Sequence, residues 1–185
     1  MVRRPEPPRT GDPERDRDAD PESVARAIAL RLLTEAPRSR AQIAEAMRRR
    51  DVPQEVADRV LDRFTEVGLV DDAEYAAMLV RTRHQERHQS RRAIAVELRR
   101  KGVADDVALE ALEQIDGEDE EEAARVLVRR KLASTAGLDP QVRARRTYAA
   151  LGRRGYSPAV VGKILREELA EEAQQLDDTD LSGAD

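Results

Sequence analysis

VELRRKGVADDVALEAL (residues 96–112) sets three consecutive cations and a glycine between two apolar segments that have helical spacing. Cations in the last turn of a helix interact favourably with the helix dipole, and a glycine just beyond that turn readily adopts the left-handed conformation that ends many helices. The stretch therefore predicts a helix that ends at Lys101, a left-handed corner at Gly102 and a second helix that begins at once.

The same pattern occurs three times along the chain. Segments 44–64, 95–115 and 149–169 share an apolar position, a basic pair, a corner and one apolar helical face. The corner pairs are Asp51-Val52, Gly102-Val103 and Gly155-Tyr156, so aspartate replaces the first glycine. Repeats of about fifty residues with about three helices each bury their apolar faces by stacking on one another. The sequence therefore predicts an all-α fold of three tandem three-helix repeats.

Capping signals place the helix ends. Asp139 and Ser157 each precede a proline, and Asp71-Asp72 begins a capping box, which are common starts of a helix. The predicted helices span residues 21–35, 40–50, 53–67, 72–89, 91–101, 104–116, 118–134, 140–154 and 158–171. The predicted repeats span 21–70, 71–117 and 118–171. Residues 1–20 combine four prolines with dense charge and residues 172–185 are acidic, so both segments are expected to be disordered tails.

The composition excludes several classes of protein. The chain has no cysteine, which rules out disulfides and thiolate metal sites and agrees with an expected cytoplasmic location. No apolar run reaches the roughly 18 residues of a membrane-spanning helix, and the N-terminus lacks the apolar core of a secretory signal. We therefore expect no membrane partner.

Catalytic and metal-binding motifs are also missing. There is no glycine-rich phosphate loop, no GxSxG and no HExxH, so the protein is expected to be non-enzymatic and to need no cofactor. Asp71 and Asp72 could be paired carboxylates, but their position before Glu74 favours a capping box. His84 and His88 have the spacing of two metal ligands on a helix. Because no third ligand is evident, a solvated helix face is favoured over a metal site.

Charge is strongly segregated along the chain. Residues 81–101 hold eight cations and two carboxylates, whereas residues 102–124 hold ten carboxylates and no cation. Residues 125–154 hold nine cations against one carboxylate, and residues 167–185 are acidic. Local patches of both signs will therefore decide which partners the protein attracts, more than its net charge of −5.

The sequence also resembles a known protein family. GLVDDAEYAAMLVRTR (68–83) followed by RRAIAVELRRKGV (91–103) is similar to the core signature of the RecX regulatory proteins. Residues 29–50 and 145–165 resemble the first and third segments of that family, in the correct order. The resemblance covers about residues 21–170, with Met78 where family members often carry tryptophan.

The resemblance implies both a shape and a function. It implies an elongated, curved, all-α array of three-helix repeats. It also implies a partner, the RecA recombinase filament on single-stranded DNA, whose growth, ATP hydrolysis and strand exchange such proteins restrain. We expect this chain to act as a monomer and to contribute no catalysis.

The candidate partner-binding residues are cations. We predict that the basic corners, defined as Arg99-Arg100-Lys101 and Arg153-Arg154, contact the filament, since equivalent corners of a curved array would lie along one side. A second set comprises Arg81, Arg83, Arg87 and Arg91. The residues predicted to form helix caps and corners are Asp71, Asp72, Gly102, Val103, Gly155 and Tyr156.

Three other interpretations stay open on the residues alone. Any single basic pair is equally well explained as a solvated helix end. The basic stretches 81–101 and 125–154 would also support weak, nonspecific DNA binding through phosphate contacts. A helical adaptor for some other protein is the third interpretation.

Overall fold

A computed structural model describes residues 20–182, and side chains from residue 20 to residue 175. Within that range the chain forms nine α-helices and one π-helical turn, with no strand. The α-helices are α1 (Pro21–Glu35), α2 (Arg40–Arg48), α3 (Gln54–Glu66), α4 (Asp72–Arg81), α5 (Arg91–Arg100), α6 (Asp105–Leu112), α7 (Gly117–Ala133), α8 (Pro140–Gly152) and α9 (Pro158–Ser182), and the π turn is Thr82–Glu86. We call α1–α3, α4–α6 and α7–α9 the first, second and third repeats.

The predicted all-α fold is confirmed, and the predicted caps lie at the helix starts. Asp71 accepts hydrogen bonds from the backbone N–H groups of Ala73 and Glu74, both at 2.9 Å. Ser39 begins α2 with a full capping box, and Asp139 accepts the N–H of Gln141 before α8. These bonds satisfy donors that the first turn of a helix leaves without a partner. The tail expected over residues 1–20 lies outside the described residues except for Asp20.

Apart from the segment after Arg81, two helix ends differ from the prediction by more than two residues. The helix predicted to end at residue 171 is wrong at that end, because α9 continues to Ser182 where a tail was expected. Residues 172–176 are glutamate, alanine, two glutamines and leucine, which are good helix formers and favour continuation of the helix through this segment. The helix predicted to end at 116 stops at Leu112, because Asp116 is needed as the N-cap of α7.

The predicted single helix over 72–89 is also wrong. It changes to a π turn at Thr82, and His88 lies in the left-handed region with φ 47°. Two hydrogen bonds hold the end of this segment: the Ser90 N–H donates to the Arg154 carbonyl at 3.0 Å, and the Tyr156 hydroxyl donates to the His88 carbonyl at 3.1 Å. These long-range contacts fix the path of the chain between the π turn and α5.

The chain divides into two compact units. One contains the described residues up to Tyr75 together with Lys101–Val103, and the other contains Ala76–Arg100 and the described residues from Ala104 onward. The core of the first unit is formed by α1–α3, with Ile28, Ile43 and Leu61 at most 1% exposed. In the second unit α7–α9 pack around a core that contains Val128 and Ile164.

The aligned positions of the three segments are buried in every copy. Three positions of each repeat are at most 8% exposed: the apolar residue before the corner, the residue just after the left-handed one, and a leucine on the following helix. These sets are Met47, Leu98 and Leu151; Val52, Val103 and Tyr156; and Leu61, Leu112 and Leu165. Burying these side chains is the main source of stability for such small units.

The corners themselves adopt the predicted conformation. Asp51, Gly102 and Gly155 have φ values of 56°, 75° and 89°, all in the left-handed region. A Cβ atom on Gly102 would overlap the Cβ of Ala41, and one on Gly155 would lie 2.7 Å from the Cβ of Ala93. Both glycines are therefore required by packing as well as by backbone conformation. Asp51 is exposed, which explains how a side chain is tolerated there.

Candidate functional site

The basic corner of the second repeat lies at the exposed end of α5. Arg92, Val96, Arg99 and Arg100 are all exposed, and their spacing places them on one face of the helix. Arg99 reaches the carboxylate of Asp105 at 3.2 Å, but both side chains are more than 70% exposed. Such an exposed pair contributes little stability, so the Arg99 guanidinium stays accessible to a partner.

The backbone of each basic corner is occupied by a structural contact. The Lys101 carbonyl accepts a hydrogen bond from the hydroxyl of Ser39, which caps α2. The Arg154 carbonyl accepts the N–H of Ser90, which precedes α5. Ser39 and Ser90 are at most 1% exposed. The main chain at these corners is thus held in place while the cationic side chains extend from it.

Carboxylates reinforce the same junctions. Asp72 does more than begin α4, because its Oδ1 accepts the backbone N–H of Arg40 at 2.7 Å. Glu120 has the corresponding role further along the chain, since its Oε1 accepts the N–H of Arg91 at 3.0 Å. Both carboxylates satisfy a donor at the first turn of a helix, where negative charge is favourable. Neither role was predicted from the sequence, because the partners are far apart along the chain.

Two of the corresponding cations of the first repeat, Arg48 and Arg49, share one carboxylate. Glu45 accepts hydrogen bonds from Arg48 at 2.8 Å and from Arg49 at 3.0 Å. Hydrogen bonds from these two guanidinium groups lower the pKa of Glu45 to about 2. The charge of one arginine is therefore cancelled, and the first repeat presents less open positive charge than its sequence suggests.

The other two basic corners are more open. Within the described residues, neither Arg100 nor Arg153 has a carboxylate within ion-pair distance, and both side chains are exposed. Lys101 and Arg154 are half-buried and likewise lack an ion-pair partner in that range. The predicted equivalence of the three corners therefore holds for backbone conformation but not for electrostatics.

Within the part of the chain that the structure describes, three of the nine cations of stretch 125–154 form ion pairs inside the third repeat, namely Arg125, Arg129 and Arg143. Arg125 pairs with Glu168 at 3.0 Å and with Glu167 at 2.8 Å, and Arg143 pairs with Glu172 at 2.9 Å. The acidic residues of α9 thus neutralise cations of α7 and α8. The positive charge of this stretch is therefore partly used in ion pairs inside the third repeat, whereas Arg145 and Arg146 are exposed.

Glu168 explains an irregularity in the repeat pattern. It occupies the position of Phe64 and Ile115 in the other repeats and is 5% exposed. Burial favours the neutral acid, but hydrogen bonds from Arg129 and Arg125 outweigh it, so the pKa of Glu168 lies below its ordinary range. A buried carboxylate requires such partners, and they were not visible in the local sequence.

The four cations of the second predicted partner-binding set differ in their exposure. Arg81 and Arg87 are exposed. Arg83 instead forms two hydrogen bonds to Glu97, at 2.8 and 2.7 Å, with both side chains largely buried. Arg91 is half-buried at the start of α5. Arg83 therefore joins the π turn to α5, and Arg81 and Arg87 are the members of the set with accessible charge.

The two predicted candidate metal ligands, His84 and His88, have different surroundings. No group of three or more potential metal ligands occurs among the described residues. His84 directs its Nδ1 towards the Gln89 carbonyl at 3.3 Å. Burial, with smaller contributions from Arg154, Arg130 and His84, lowers the pKa of His88. Within the same range, no helix is both long and apolar enough to cross a membrane.

Family models account for most of the chain. The model of the first three-helix domain of RecX matches residues 25–64, that of the second matches 71–112, and that of the third matches 118–165. These matches fall inside the predicted repeats 21–70, 71–117 and 118–171, whose bounds stay predictions. They support three three-helix domains in tandem.

Individual proteins give the same result. The chain is 51% identical over 153 residues to "Regulatory protein RecX" of Thermobifida fusca, with 83% of each chain covered. It is 49% identical over 164 residues to the protein of the same name from Streptomyces coelicolor, with 89% of this chain and 85% of that one covered.

Solved structures agree in fold. The crystal structure of RecX from Lactobacillus salivarius superimposes with a TM-score of 0.70 at 21% identity, over 80% of this chain and 97% of the other. A second crystal structure of a regulatory protein RecX also gives a TM-score of 0.70, at 26% identity over 79% of this chain and 73% of the other. The helical arrangement described above is therefore shared with experimentally solved proteins.

Proposed function

The chain belongs to the RecX family of regulatory proteins, and from this premise we propose that it binds the RecA filament on single-stranded DNA. Binding would restrain filament assembly, ATP hydrolysis and strand exchange, and would modulate recombinational DNA repair in the cytoplasm. The protein would act as a non-enzymatic monomer.

The observation that supports this proposal is the open charge of the two basic corners. Arg100 and Arg153 are exposed and lack carboxylate partners within the described residues, whereas Arg48 and Arg49 of the first repeat share Glu45. A nucleoprotein filament offers acidic protein surface and DNA phosphates, and both attract unpaired cations. The fixed main chain at Lys101 and Arg154 would hold these cations in place for binding.

Neutralising the open cations tests the proposal. The variant Arg100→Gln with Arg153→Gln should bind RecA filaments about fivefold to tenfold more weakly than the parent at low salt, because two interfacial charges are lost. The matched control is Arg48→Gln with Arg49→Gln, which removes two cations already bound to Glu45. We expect the control to bind within about twofold of the parent. Cosedimentation with filaments and inhibition of the DNA-dependent ATPase would both be measured.

Three results would contradict the proposal. The parent would fail to lower the ATPase at saturating concentration, or it would itself hydrolyse ATP, or both double variants would weaken binding equally. Direct DNA binding is the second candidate, since the same open cations suit phosphate contacts. Sedimentation with bare single-stranded DNA at matched salt separates it, because a DNA-binding protein would bind bare DNA and filaments alike.

A further inference from the structure

Two exposed apolar side chains lie on α5 and α6 of the second repeat. Leu109 is 65% exposed, the largest value for a large hydrophobic residue in the described part of the chain, and Val96 is 41% exposed. A single exposed leucine is common on protein surfaces. The position of Val96 and Leu109, and the charges around them, distinguish this pair from the other exposed hydrophobic residues.

An ion pair brings the two residues to the same level of the helix pair. Arg99 of α5 and Asp105 of α6 are joined at 3.2 Å across the connecting corner. Val96 precedes Arg99 by three residues and Leu109 follows Asp105 by four, so each lies one helical turn from the ion pair on the same face of its helix. Val96 and Leu109 therefore border one groove between α5 and α6.

The first repeat has a cavity at the equivalent position. Between α2 and α3 a cavity of about 360 Å³ is lined by residues that include Glu45 and Asp58. In the repeat alignment these two residues correspond to Val96 and Leu109. The groove of the first repeat is thus bordered by carboxylates, whereas that of the second repeat is bordered by apolar side chains.

The third repeat fills the equivalent position with its own side chain. Gly162 of α9 corresponds to Leu109, and a Cβ atom on Gly162 would lie 2.7 Å from the hydroxyl oxygen of Tyr148. Tyr148 of α8 therefore covers this part of the third repeat. The second repeat alone presents an apolar pair here without covering it.

The charges around the pair favour a protein partner over DNA. On the α5 side lie the exposed cations Arg92, Arg99 and Arg100. On the α6 side lie the exposed carboxylates Asp105, Asp106 and Glu110. A phosphate backbone would be repelled by half of this face, whereas an apolar centre with charges of both signs at its rim is typical of protein–protein interfaces.

We propose that the α5–α6 face of the second repeat is a docking surface for a protein segment. The segment would place an apolar side chain between Val96 and Leu109, a carboxylate against Arg92 and Arg100, and a cation against Asp106 or Glu110. This inference rests on the proposed function in one respect, namely that the segment belongs to RecA in the filament. The inference adds that this face recognises the protein part of the filament and not its DNA, and that an apolar side chain lies at the centre of the interface.

Removing the apolar pair tests the docking surface. The variant Val96→Ala with Leu109→Ala keeps good helix formers and all charges, so folding should be unaffected. We expect its affinity for RecA filaments to fall about tenfold or more, because truncation of central anchors is costly. Its affinity for bare single-stranded DNA and the salt dependence of filament binding should be unchanged. The matched control is Leu30→Ala with Leu69→Ala, which truncates two leucines, one in α1 and one just after α3, that are each 50% exposed.

The possible outcomes separate failure of the docking surface from failure of the proposed function. If the parent binds filaments and the Val96/Leu109 variant binds equally well, the docking surface is wrong and the proposed function stands. If filament and bare-DNA affinities fall together, the face contacts nucleic acid and the inference is again wrong. If the control loses as much affinity as the variant, the effect is not specific to this face and the inference fails. If the parent binds no filament at all, the proposed function fails first, and the assignment of the segment to RecA fails with it.

Discussion

Gly102 packs against Ala41 so closely that a Cβ atom on the glycine would overlap the Cβ of the alanine. Gly155 has the same relation to Ala93, whereas Asp51, at the equivalent left-handed corner, is exposed. A corner glycine is thus needed only where the corner packs against the start of an earlier middle helix. Asp51 belongs to the first repeat, which has no earlier repeat in the described chain.

Gly102→Ala should therefore destabilise the protein through two effects. The left-handed conformation at φ 75° costs an alanine about 1–2 kcal/mol, and the overlap with Ala41 forces a shift that adds about 1 kcal/mol or more. Gly68→Ala is the matched control, because Gly68 has φ 71° but open space around its Cβ position. Urea unfolding of both variants would separate backbone strain from packing. Equal losses of free energy would show that Ala41 does not restrict the corner.

At the corner of the first repeat, which is formed by Asp51, a change to glycine should have the opposite effect on stability. Asp51→Gly should leave the free energy of unfolding unchanged or raise it by up to about 1 kcal/mol, since glycine adopts a left-handed conformation without strain. Its thermal midpoint should therefore equal or exceed that of the parent. A clear loss of stability would mean that the Asp51 side chain makes a contact that compensates for its strained backbone.

Tyr156→Phe tests the tie between the third corner and the end of the π turn. The buried hydroxyl of Tyr156 donates to the carbonyl of His88 at 3.1 Å, and burial raises the pKa of this tyrosine. Removing the hydroxyl should lower the free energy of unfolding by about 1 kcal/mol, because the carbonyl loses its donor. The control Tyr148→Phe changes a partly exposed tyrosine and should lie within about 0.5 kcal/mol of the parent. Equal effects would show that the His88 contact is unimportant.

The buried Glu168 predicts sensitivity to acid. Its pKa is below the ordinary value of 4.5, so the folded protein favours the charged form, and this contribution is fully present above pH 4.5. It is lost as the pH falls through the lower pKa of the folded state. Glu168→Gln should therefore lose about 2 kcal/mol at neutral pH, where a charge-assisted hydrogen bond is replaced, and less at pH 3.

The measurement is the free energy of unfolding of parent and Glu168→Gln from pH 7 to pH 3. The difference between the two proteins should shrink on acidification below pH 4.5. Glu171→Gln is a suitable control, because Glu171 is 53% exposed and lies 3.6 Å from Arg129. A difference for Glu168→Gln that stays constant over the whole range would contradict the assigned protonation.

Features set by short stretches of sequence were predictable. The left-handed corners at Gly102 and Gly155 and the cap at Asp71 follow from a few neighbouring residues, and all three were found. Features set by distant partners were not predictable. The roles of Glu120 and Glu168 depend on side chains and N–H groups that only the folded chain brings together.

The candidate site was also only partly predictable from the sequence. The basic corner at the end of α5 was predicted from the sequence, but the ion pairs formed by the other cations were not. Arg83 is held by Glu97 of α5, so a cation that looked like Arg100 in the sequence differs from it in the charge it presents. The pair of Arg48 with Glu45 is different, because both residues lie in α2 at a spacing that local sequence permits. Ion pairing between helices depends on tertiary packing, which composition and periodicity do not determine.

Charge reversal at both basic corners gives the strongest test of the site. The variant in which Arg100, Lys101, Arg153 and Arg154 all become glutamate should fold nearly normally. Arg100 and Arg153 are exposed, Lys101 and Arg154 are half-buried without an ion-pair partner in the described range, and such charges at helix ends contribute well under about 1 kcal/mol each. Circular dichroism and the thermal midpoint would confirm this before any binding is measured. Filament affinity at low salt should fall by about tenfold or more, since attractive contacts become repulsive.

The salt dependence of this variant distinguishes electrostatic contacts from a structural defect. Screening weakens interactions between exposed charges beyond about 10 Å at 0.1 M salt and more strongly at higher concentrations. The ratio of parent to variant affinity should therefore decrease as salt rises, whereas a folding defect would leave it constant. If the folded variant inhibits RecA as well as the parent at low salt, the basic corners are solvated helix ends. Arg81 and Arg87, which are exposed beside the π turn, would then be the next cations to reverse.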